Sequence, residues 1–270
     1  MIDEALEPGI QAASPTRSLG RFLTDVLVVA ERNLISYARV PETLYFSSIQ
    51  PVMFVLLFRY VFGGAIAVPG HSYVDFLIPG IFVQTVAFGS IGTAVGLAED
   101  LRKGFIERFR SLPMARSAVL AGRTIADLCR NILVVIIITV VGTLVGFRIH
   151  TSPLAFVGAV GVLLLFAYAL SWGFSVVGMI APNAEAAQLM AFPLLFPLTF
   201  ASSAFVPVQS MPSWLRGFAS NQPISVIVDA VRALSLGGPT SGVVLRAVLW
   251  SLAILAIVVP LSVRRFRRMV

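Results

Sequence analysis

A dense run of charged side chains, residues 99–113, lies between two strongly apolar stretches of this 270-residue chain. Glu107 is spaced to pair with Lys103 and with Arg110 on the surface of a short helix that Pro113 would end. Apolar residues recur at helical spacing through the same run and give that helix an apolar side. A charged helix with an exposed apolar stripe predicts a docking element for a partner protein. A basic loop that only sets membrane topology is the alternative.

The reactive side chains of this sequence give little support for a catalytic function. Lys103 is the only lysine, and with Arg102 before it and Gly104 after it, it does not fit a phosphate-binding loop of the form G-x-x-x-x-G-K-[ST]. The two histidines, His71 and His150, fall in separate predicted loops without an H-E-x-x-H pattern, so both are predicted to be surface residues. Any energy from a nucleotide is therefore expected to come from another subunit.

The composition predicts a membrane protein. Hydrophobic residues make up 57% of the chain and charged residues 12%, with a mean hydropathy of +0.91, which exceeds what a soluble domain can bury. Crossing the hydrocarbon takes about 20 apolar residues, and six stretches are long enough. The predicted spans are Leu44–Phe62, Phe76–Ala98, Thr124–Phe147, Leu154–Ile180, Gln188–Val206 and Val243–Val263. Because they are continuously apolar rather than alternating, the predicted fold is an all-α membrane bundle.

The spans are flanked by polar and amphipathic segments. Residues 1–16 are predicted to be a flexible N-terminus. Residues 17–43 are predicted to be an interfacial segment with an amphipathic helix in the headgroup plane, whose end Pro41 marks. A helix packed on a cytoplasmic partner is the alternative for residues 17–43. Residues 44–263 would form the six-span domain, and residues 264–270 a basic cytoplasmic tail.

The distribution of basic residues predicts the orientation, because positively charged loops stay in the cytoplasm. The ends and loops assigned to the inside carry Arg17, Arg21, Arg32, Arg39, Arg102, Lys103, Arg108, Arg110, Arg116, Arg123, Arg264, Arg265, Arg267 and Arg268. Those assigned to the outside carry Arg148, Arg216 and Arg232. Both termini are therefore predicted to be cytoplasmic. This asymmetry accounts for the net charge of +7 without a nucleic-acid partner.

The segment Pro223–Leu236 is apolar but about 14 residues long, too short to cross the membrane. It also contains Asp229 and Arg232, which can pair at i,i+3. We expect a helix that dips into the outer face of the membrane.

Other polar and small residues in the spans have structural interpretations. The central parts of the spans lack Asp and Glu, which argues against an ion-coupled carrier. Asp127 and Arg130, near the inner end of the third span, can satisfy each other at i,i+3. Arg59 either snorkels to the outer interface or faces a polar cavity. The glycines predicted to allow close helix contacts are Gly89, Gly92, Gly96, Gly158 and Gly161.

Two stretches carry a resemblance to a known family. One is the charged run from Arg102 to Pro113. The other runs from Phe205 to Arg216 as FVPVQSMPSWLR and continues through the N-x-P of residues 221–223 to the D-x-x-R of residues 229–232. With these two stretches in this order, the chain from Arg17 onward resembles the type-2 ABC exporter permeases. Within that family it resembles the daunorubicin-resistance-like transmembrane subunits of bacteria.

The resemblance implies a non-catalytic permease in the bacterial plasma membrane, an efflux subunit for an amphipathic drug or lipid. Residues 99–113 would be the coupling helix, seated in a separate ABC ATPase that binds the ATP and Mg²⁺; no cofactor is expected in this chain. The residues expected to couple to the ATPase are Glu99, Arg102, Lys103, Gly104, Glu107, Arg108, Arg110 and Pro113. The expected outer re-entrant motif comprises Pro207, Pro212, Trp214, Asn221, Pro223, Asp229 and Arg232. Two permease subunits, either two copies or this chain with a sister chain, would pair around the pathway.

Aromatic residues in spans one, two and five suit the passage of an apolar cargo. The candidate pathway residues are Phe54, Phe58, Arg59, Gln84, Phe88, Phe196 and Phe200. Phe residues that face lipid or pack helix on helix are the alternative. Alternatives for the function as a whole are a polysaccharide-exporting permease, an ion-coupled carrier and an intramembrane enzyme acting on lipid.

Overall fold

The computed structural model describes residues 19–39, 41–64, 66, 68, 70, 72–104 and 116–269, and all regular structure in these ranges is helical. The α-helices are α1 (Leu19–Arg39), α2 (Pro41–Leu57), α3 (Tyr73–Gly89), α4 (Ile91–Arg102), α5 (Arg116–Leu144), α6 (Pro153–Ile180), α7 (Ala184–Phe200), α8 (Ser213–Asn221), α9 (Pro223–Leu236) and α10 (Ser241–Met269). A π-helical turn, Phe58–Phe62, continues α2, and a 3-10 turn, Val208–Ser210, precedes α8. The all-helical prediction is confirmed for the described part of the chain.

Four helical stretches are long and apolar enough to cross a membrane. They are Tyr73–Arg102, Ser117–Leu144, Pro153–Ile180 and Ser241–Met269, and they match predicted spans two, three, four and six. The regions of predicted spans one and five form shorter apolar helices, Ser48–Phe62 and Ala184–Phe200. The 17 residues of α7 rise about 26 Å, slightly less than the hydrocarbon thickness, so six crossings remain a prediction.

The second predicted span is one apolar stretch with a break. Helix α3 ends at Gly89 and α4 begins at Ile91. At the break the Ser90 hydroxyl donates to Val86 O at 2.9 Å, and Thr93 N donates to Ser90 O at 3.1 Å. A Gly-Ser pair is a common site for a kink, because the helical hydrogen-bond ladder is easily interrupted there. Helix α4 then continues past the predicted end of the span, to Arg102.

Helix α1 packs along α5 and has two apolar faces. Val26, Val29 and Ala30 are buried on one of them. The backbones approach closely there, since a Cβ on Gly122 of α5 would lie 2.7 Å from Val26 O. Leu23 and Leu27 remain exposed on the other face. The structure has a helix within the predicted segment, and its exposed apolar face is compatible with a position at the membrane surface, which stays a prediction.

Close helix contacts within the chain occur at glycines other than those predicted in the fourth span. Among the described residues, no atom lies within 4 Å of the place that a Cβ on Gly158 or Gly161 would take, so the prediction for these two is wrong within one chain. Gly178 is the close contact of α6, because its Cβ would lie 2.5 Å from Ala94 O of α4. The glycines predicted for span two border side chains rather than backbone: a Cβ on Gly92 would lie 2.7 Å from Arg130 Nη1.

The segment between α7 and α10 folds as two short helices. Helix α9 begins at Pro223, where the Gln222 side chain accepts from Ile224 N at 3.1 Å, and Gly237 follows its last residue with a φ of +100° that favours glycine. Its 14 residues form a separate helix, as predicted, and most of them are buried against α3, α6 and α10. The placement of this segment in the outer face of a membrane remains a prediction. Helix α10 includes the basic residues 264–268, so most of the predicted tail continues the last helix.

Candidate functional site

Eight phenylalanine rings form a continuous row in the structure. Three of them follow one face of α7 at four-residue spacing: Phe192, Phe196 and Phe200, with ring centroids 5.3 and 4.5 Å apart. Phe88 extends the row at one end, 5.8 Å from Phe192. At the other end, the Phe205 ring lies 5.1 Å from Phe200 and 4.7 Å from Phe58, between centroids. Phe58 in turn lies 5.1 Å from Phe62 and 5.8 Å from Phe54. We call these eight side chains the phenylalanine row.

The row brings together all five phenylalanines of the candidate pathway. It joins α2, α3, α7 and the turn after α7, which are far apart in the sequence. Phe82, another phenylalanine of the second span, instead packs edge-on against Phe147 and is buried. Arg59 lies on the π-helical turn beside Phe58, and its Nε has no hydrogen-bond partner among the described residues.

A cavity of about 140 Å³ lies against the row, between α2, the α3–α4 break and α5. Phe54 and Phe88 belong to the row and also line the cavity. The polar lining comes from Gln84 and Thr85 of α3 and from Arg130 and Asn131 of α5, together with Gln50. Gln84 was predicted as a pathway residue. Asn131 was missed, because a lone amide in an apolar stretch carries no signal of its environment.

Asp127 and Arg130 form the centre of a buried polar cluster next to this cavity. The Arg130 guanidinium is 3.9 Å from the Asp127 carboxylate, and its Nη2 donates to Gly89 O at 2.6 Å. Asp127 is fully buried and accepts hydroxyl hydrogen bonds at 2.5 Å from Tyr37 of α1 and from Thr93 of α4. The predicted pair is therefore present but long, and the carboxylate is satisfied mainly by two other helices.

Burial, and after it the charge of Asp127, raises the pKa of the Tyr37 phenol well above its ordinary value. The phenol therefore keeps its proton and remains a donor to Asp127. Arg130 also lies over the Tyr37 ring, 5.7 Å from its centroid. These contacts tie α1 to α5 at the level of the helix break.

A second carboxylate holds the same three helices together about two turns further along α4. Asp100 Oδ2 accepts from Arg123 Nη1 of α5 at 2.8 Å and from Arg32 Nη2 of α1 at 3.1 Å. Arg123 fills the space above Gly96, since a Cβ there would overlap its guanidinium. Around these residues a cleft of about 600 Å³ opens between α1, α4 and α5. We call it the charged cleft.

The charged cleft leads directly to the start of the predicted coupling helix. Glu99 and Arg102 are in the last turn of α4, and Glu99 pairs with Lys103 at 2.6 Å. Gly104 follows with a φ of +67°, a left-handed conformation that favours glycine after a helix. Residues 99–102 therefore end α4, and the prediction of a separate helix that begins at Glu99 is wrong for this part of the run. The other predicted coupling residues, Glu107, Arg108, Arg110 and Pro113, lie outside the described residues.

Two residues of the predicted outer motif, Asp229 and Arg232, lie in one group of contacts. Arg232 pairs with Asp229 at 3.0 Å, as expected, and also donates to Phe76 O at 3.1 Å and Ser203 O at 2.9 Å. The Arg232 guanidinium lies 3.7 Å from the centre of the Phe76 ring. These contacts fasten α9 to α3 and to the turn after α7.

The remaining motif residues build α8 and its junctions. Pro207 precedes the 3-10 turn, Pro212 is the residue before α8, and Trp214 is largely exposed on α8. Asn221 Oδ1 accepts from Arg246 of α10 at 3.1 Å, and Pro223 is the first residue of α9.

One of the two histidines, His150, lies among the described residues. His150, predicted to be at the surface, is about half exposed and lies 3.5 Å from Asp75. His71 lies outside the described residues, so its position at the surface stays a prediction.

Comparisons with known proteins identify the family. Residues 24–236 match the ABC-2 type transporter model. The chain is 33% identical over 236 residues to the daunorubicin resistance ABC transporter permease protein DrrB1 of Streptomyces coeruleorubidus, an alignment that covers 87% of this chain and 83% of the relative. It is 24% identical to the probable doxorubicin resistance ABC transporter permease protein DrrC of Mycobacterium tuberculosis, over 93% of each chain. It is 26% identical to the putative transport permease ycf38 of Cyanophora paradoxa, over 79% of this chain and 74% of the relative.

These matches and the long apolar helices together make the chain a multi-pass membrane protein. The chain belongs to the ABC-2 type transporter family, in which it is similar to permease proteins of drug-resistance transporters.

Proposed function

We propose that this chain is the membrane subunit of an ATP-driven exporter that moves an amphipathic drug or lipid out of a bacterial cell. A separate ATPase subunit binds ATP and Mg²⁺ and docks on residues 99–113. Both termini lie in the cytoplasm. The names of the relatives, which describe ABC transporter permeases for drug resistance, support this proposal.

The observation that carries the proposal is the phenylalanine row. Rings whose centroids are 4.5 to 5.8 Å apart offer one apolar, polarisable surface over which an aromatic or acyl body can move without crossing a polar barrier. A polysaccharide would need hydrogen-bonding groups along its path, and the row provides none. The row therefore favours an amphipathic cargo over a polysaccharide.

A second permease subunit completes the pathway. Phe192, Phe196 and Phe200 are 37% to 45% exposed in this chain, although their rings stack on one another. The face they form is open on one side. A second subunit facing it, as a copy of this chain or a sister chain, encloses the cargo path between the two.

The coupling to ATP follows from the position of the charged cleft. The docking segment, residues 99–113, begins in the last turn of α4 and includes Asp100. A displacement of this segment therefore acts through Asp100 on Arg32 and Arg123. The helices α1, α4 and α5 then move as one unit. ATP binding shifts the equilibrium between inward-open and outward-open states only if the ATPase holds the docking segment more tightly in one of them.

ATP-dependent uptake of a fluorescent aromatic amphiphile into inside-out vesicles tests the proposal. Phe196→Leu keeps the apolar bulk in the middle of the row but removes the ring, so we expect a several-fold lower uptake rate. Phe218→Leu is the matched control, because Phe218 is an exposed phenylalanine of α8 outside the row. Equal uptake by both variants and the unchanged chain would contradict the role of the row.

The same vesicles test the docking segment. Reversing the charge at Glu107 or Arg108 should reduce co-purification of the ATPase subunit and lower ATP turnover together with transport. If assembly and ATP turnover are unchanged, the docking assignment is wrong. Transport or ATP hydrolysis by the purified chain alone would exclude a separate motor.

A further inference from the structure

We propose that the 140 Å³ cavity binds the polar end of the cargo and selects amphiphiles with a neutral or anionic acceptor group over cationic ones. This inference rests on the proposed function, since it names the cargo class for the same pathway. The cavity has an apolar side, formed by Phe54, Phe88 and Val134, and a polar side, formed by Gln84, Arg130 and Asn131.

The polar side presents a buried donor that makes no hydrogen bond within the described part of the chain. Asn131 is 3% exposed, and its Nδ2 is the group concerned. Its Oδ1 faces Arg130 Nη2 at 3.5 Å, which leaves the N–H groups for another acceptor. An unpaired buried donor is costly, so a ligand oxygen that reaches it recovers free energy.

Arg130 adds positive charge to the same side. Its Nη2 is engaged by Gly89 O, while its Nη1 makes no hydrogen bond to another described residue and lies beside Gly92. A guanidinium has five N–H donors, so it can still donate to a carbonyl or carboxylate oxygen. A residue larger than glycine at position 92 would occupy that space.

Negative charge is missing from the cavity wall. The described residues that line it include no Asp or Glu. The carboxylate of Asp127, 3.9 Å from the Arg130 guanidinium, does not line the cavity, and its oxygens accept from the hydroxyls of Tyr37 and Thr93. A cationic amine in the cavity would therefore lie beside the Arg130 guanidinium, and no carboxylate of the cavity wall would pair with the amine. Two like charges close together are unfavourable in a buried site.

The size of the cavity limits what enters it. A volume of about 140 Å³ is close to that of a cavity that holds one benzene molecule, and below the range of about 300 to 1,000 Å³ for whole drug-sized ligands. One ring or one small polar group fits. Because Phe54 and Phe88 also belong to the phenylalanine row, the remaining apolar body lies along the row.

Binding of matched pyrene probes to the full-length chain in zwitterionic nanodiscs tests this inference. Pyrenebutyrate and a pyrenebutyl trimethylammonium salt share the same apolar body and differ in the sign of the charge. Fluorescence anisotropy, corrected for empty nanodiscs, should show binding of pyrenebutyrate about tenfold tighter than that of the cation. Asn131→Leu should weaken pyrenebutyrate binding about tenfold, as expected for one hydrogen bond to a charged group.

Two further variants keep the test decisive. Thr139→Val is the matched control, because Thr139 is on the same helix and its hydroxyl donates to Val135 O of its own helix. Gln84→Leu serves if Asn131→Leu does not fold, because the Gln84 side chain makes no hydrogen bond to another described residue, and it should weaken pyrenebutyrate binding about threefold. Equal affinity for the two probes, or unchanged pyrenebutyrate binding in both cavity variants, overturns the inference.

The outcome is separable from that of the proposed function. The binding measurement needs no ATPase, whereas the vesicle measurement depends on it. ATP-driven uptake that persists without any charge preference defeats only the cavity assignment. A clear charge preference in nanodiscs without ATP-driven uptake defeats the exporter proposal and leaves a selective amphiphile site.

Discussion

The buried carboxylate of Asp127 is satisfied mainly by residues of other helices rather than by its neighbour in the sequence. The spacing of Asp127 and Arg130 predicted a pair, and the two groups do lie within 3.9 Å. The shorter contacts of Asp127, however, come from residues 90 positions before it and 34 positions before it. Spacing along one helix reveals only partners on the same helix, so contacts with Tyr37 and Thr93 could not be predicted from the sequence.

Replacement of Asp127 by Asn tests the importance of this cluster. Asparagine has one oxygen where the carboxylate has two, so one of the two hydroxyl donors loses its acceptor, and Arg130 loses its counter-charge. Removing one partner of a buried pair costs about 3 to 5 kcal/mol, and we expect a clear fall in the thermal unfolding temperature in detergent. Glu99→Gln is the control, because the Glu99–Lys103 pair is about half exposed and should contribute less than about 1 kcal/mol. Equal effects of the two changes would mean that Asp127 is not held as described.

At the scale of the helices, hydropathy predicted the long elements and sequence did not reveal how they meet. Predicted span four, Leu154–Ile180, begins one position after the first residue of α6, Pro153, because its apolar run is long and uninterrupted. The break at Ser90 and the short length of α7 were not predicted, since both depend on local hydrogen bonds inside an apolar run. The glycines are a second example of what the sequence does not reveal. Their spacing indicates a helix face made of small residues, but not which helix packs on that face.

Two glycines of α6 provide a matched test of helix packing. Gly178→Ala places a Cβ 2.5 Å from Ala94 O, and a backbone atom cannot move aside without separating α6 from α4. We expect a loss of about 1 to 3 kcal/mol, measured as a lower thermal unfolding temperature. Gly161→Ala has no neighbour within 4 Å among the described residues, so it should be neutral or stabilise the helix by up to about 1 kcal/mol. A similar loss from both substitutions would show that a subunit contact, rather than the α4–α6 contact, sets the response.

In the whole molecule, the two ends of the helical bundle differ in the charge and type of the elements that form them. One end has α1, the charged cleft and the basic final turns of α10, whose Phe266 is buried in one cluster with Leu97 and Val26. The other end has α8 and α9, which are fastened by Arg232 to α3. The candidate pathway lies between a charged end suited to a protein partner and a compact helical end. The charge asymmetry of the sequence predicts that the charged end faces the cytoplasm.

Accessibility of single cysteines in intact cells measures this orientation. The exposed native thiol is first removed by Cys129→Ala. Cysteine introduced at Ser213, at the start of α8, or at His71 should react with a membrane-impermeant thiol reagent, because both positions are predicted to be outside. Cysteine at Ser111 in the docking segment should react only after permeabilisation. The opposite pattern would be labelling of Ser111→Cys in intact cells with protection of Ser213→Cys. It would place the charged cleft on the outer side of the membrane, where there is no ATP. The chain could not then be coupled to an ATPase through residues 99–113.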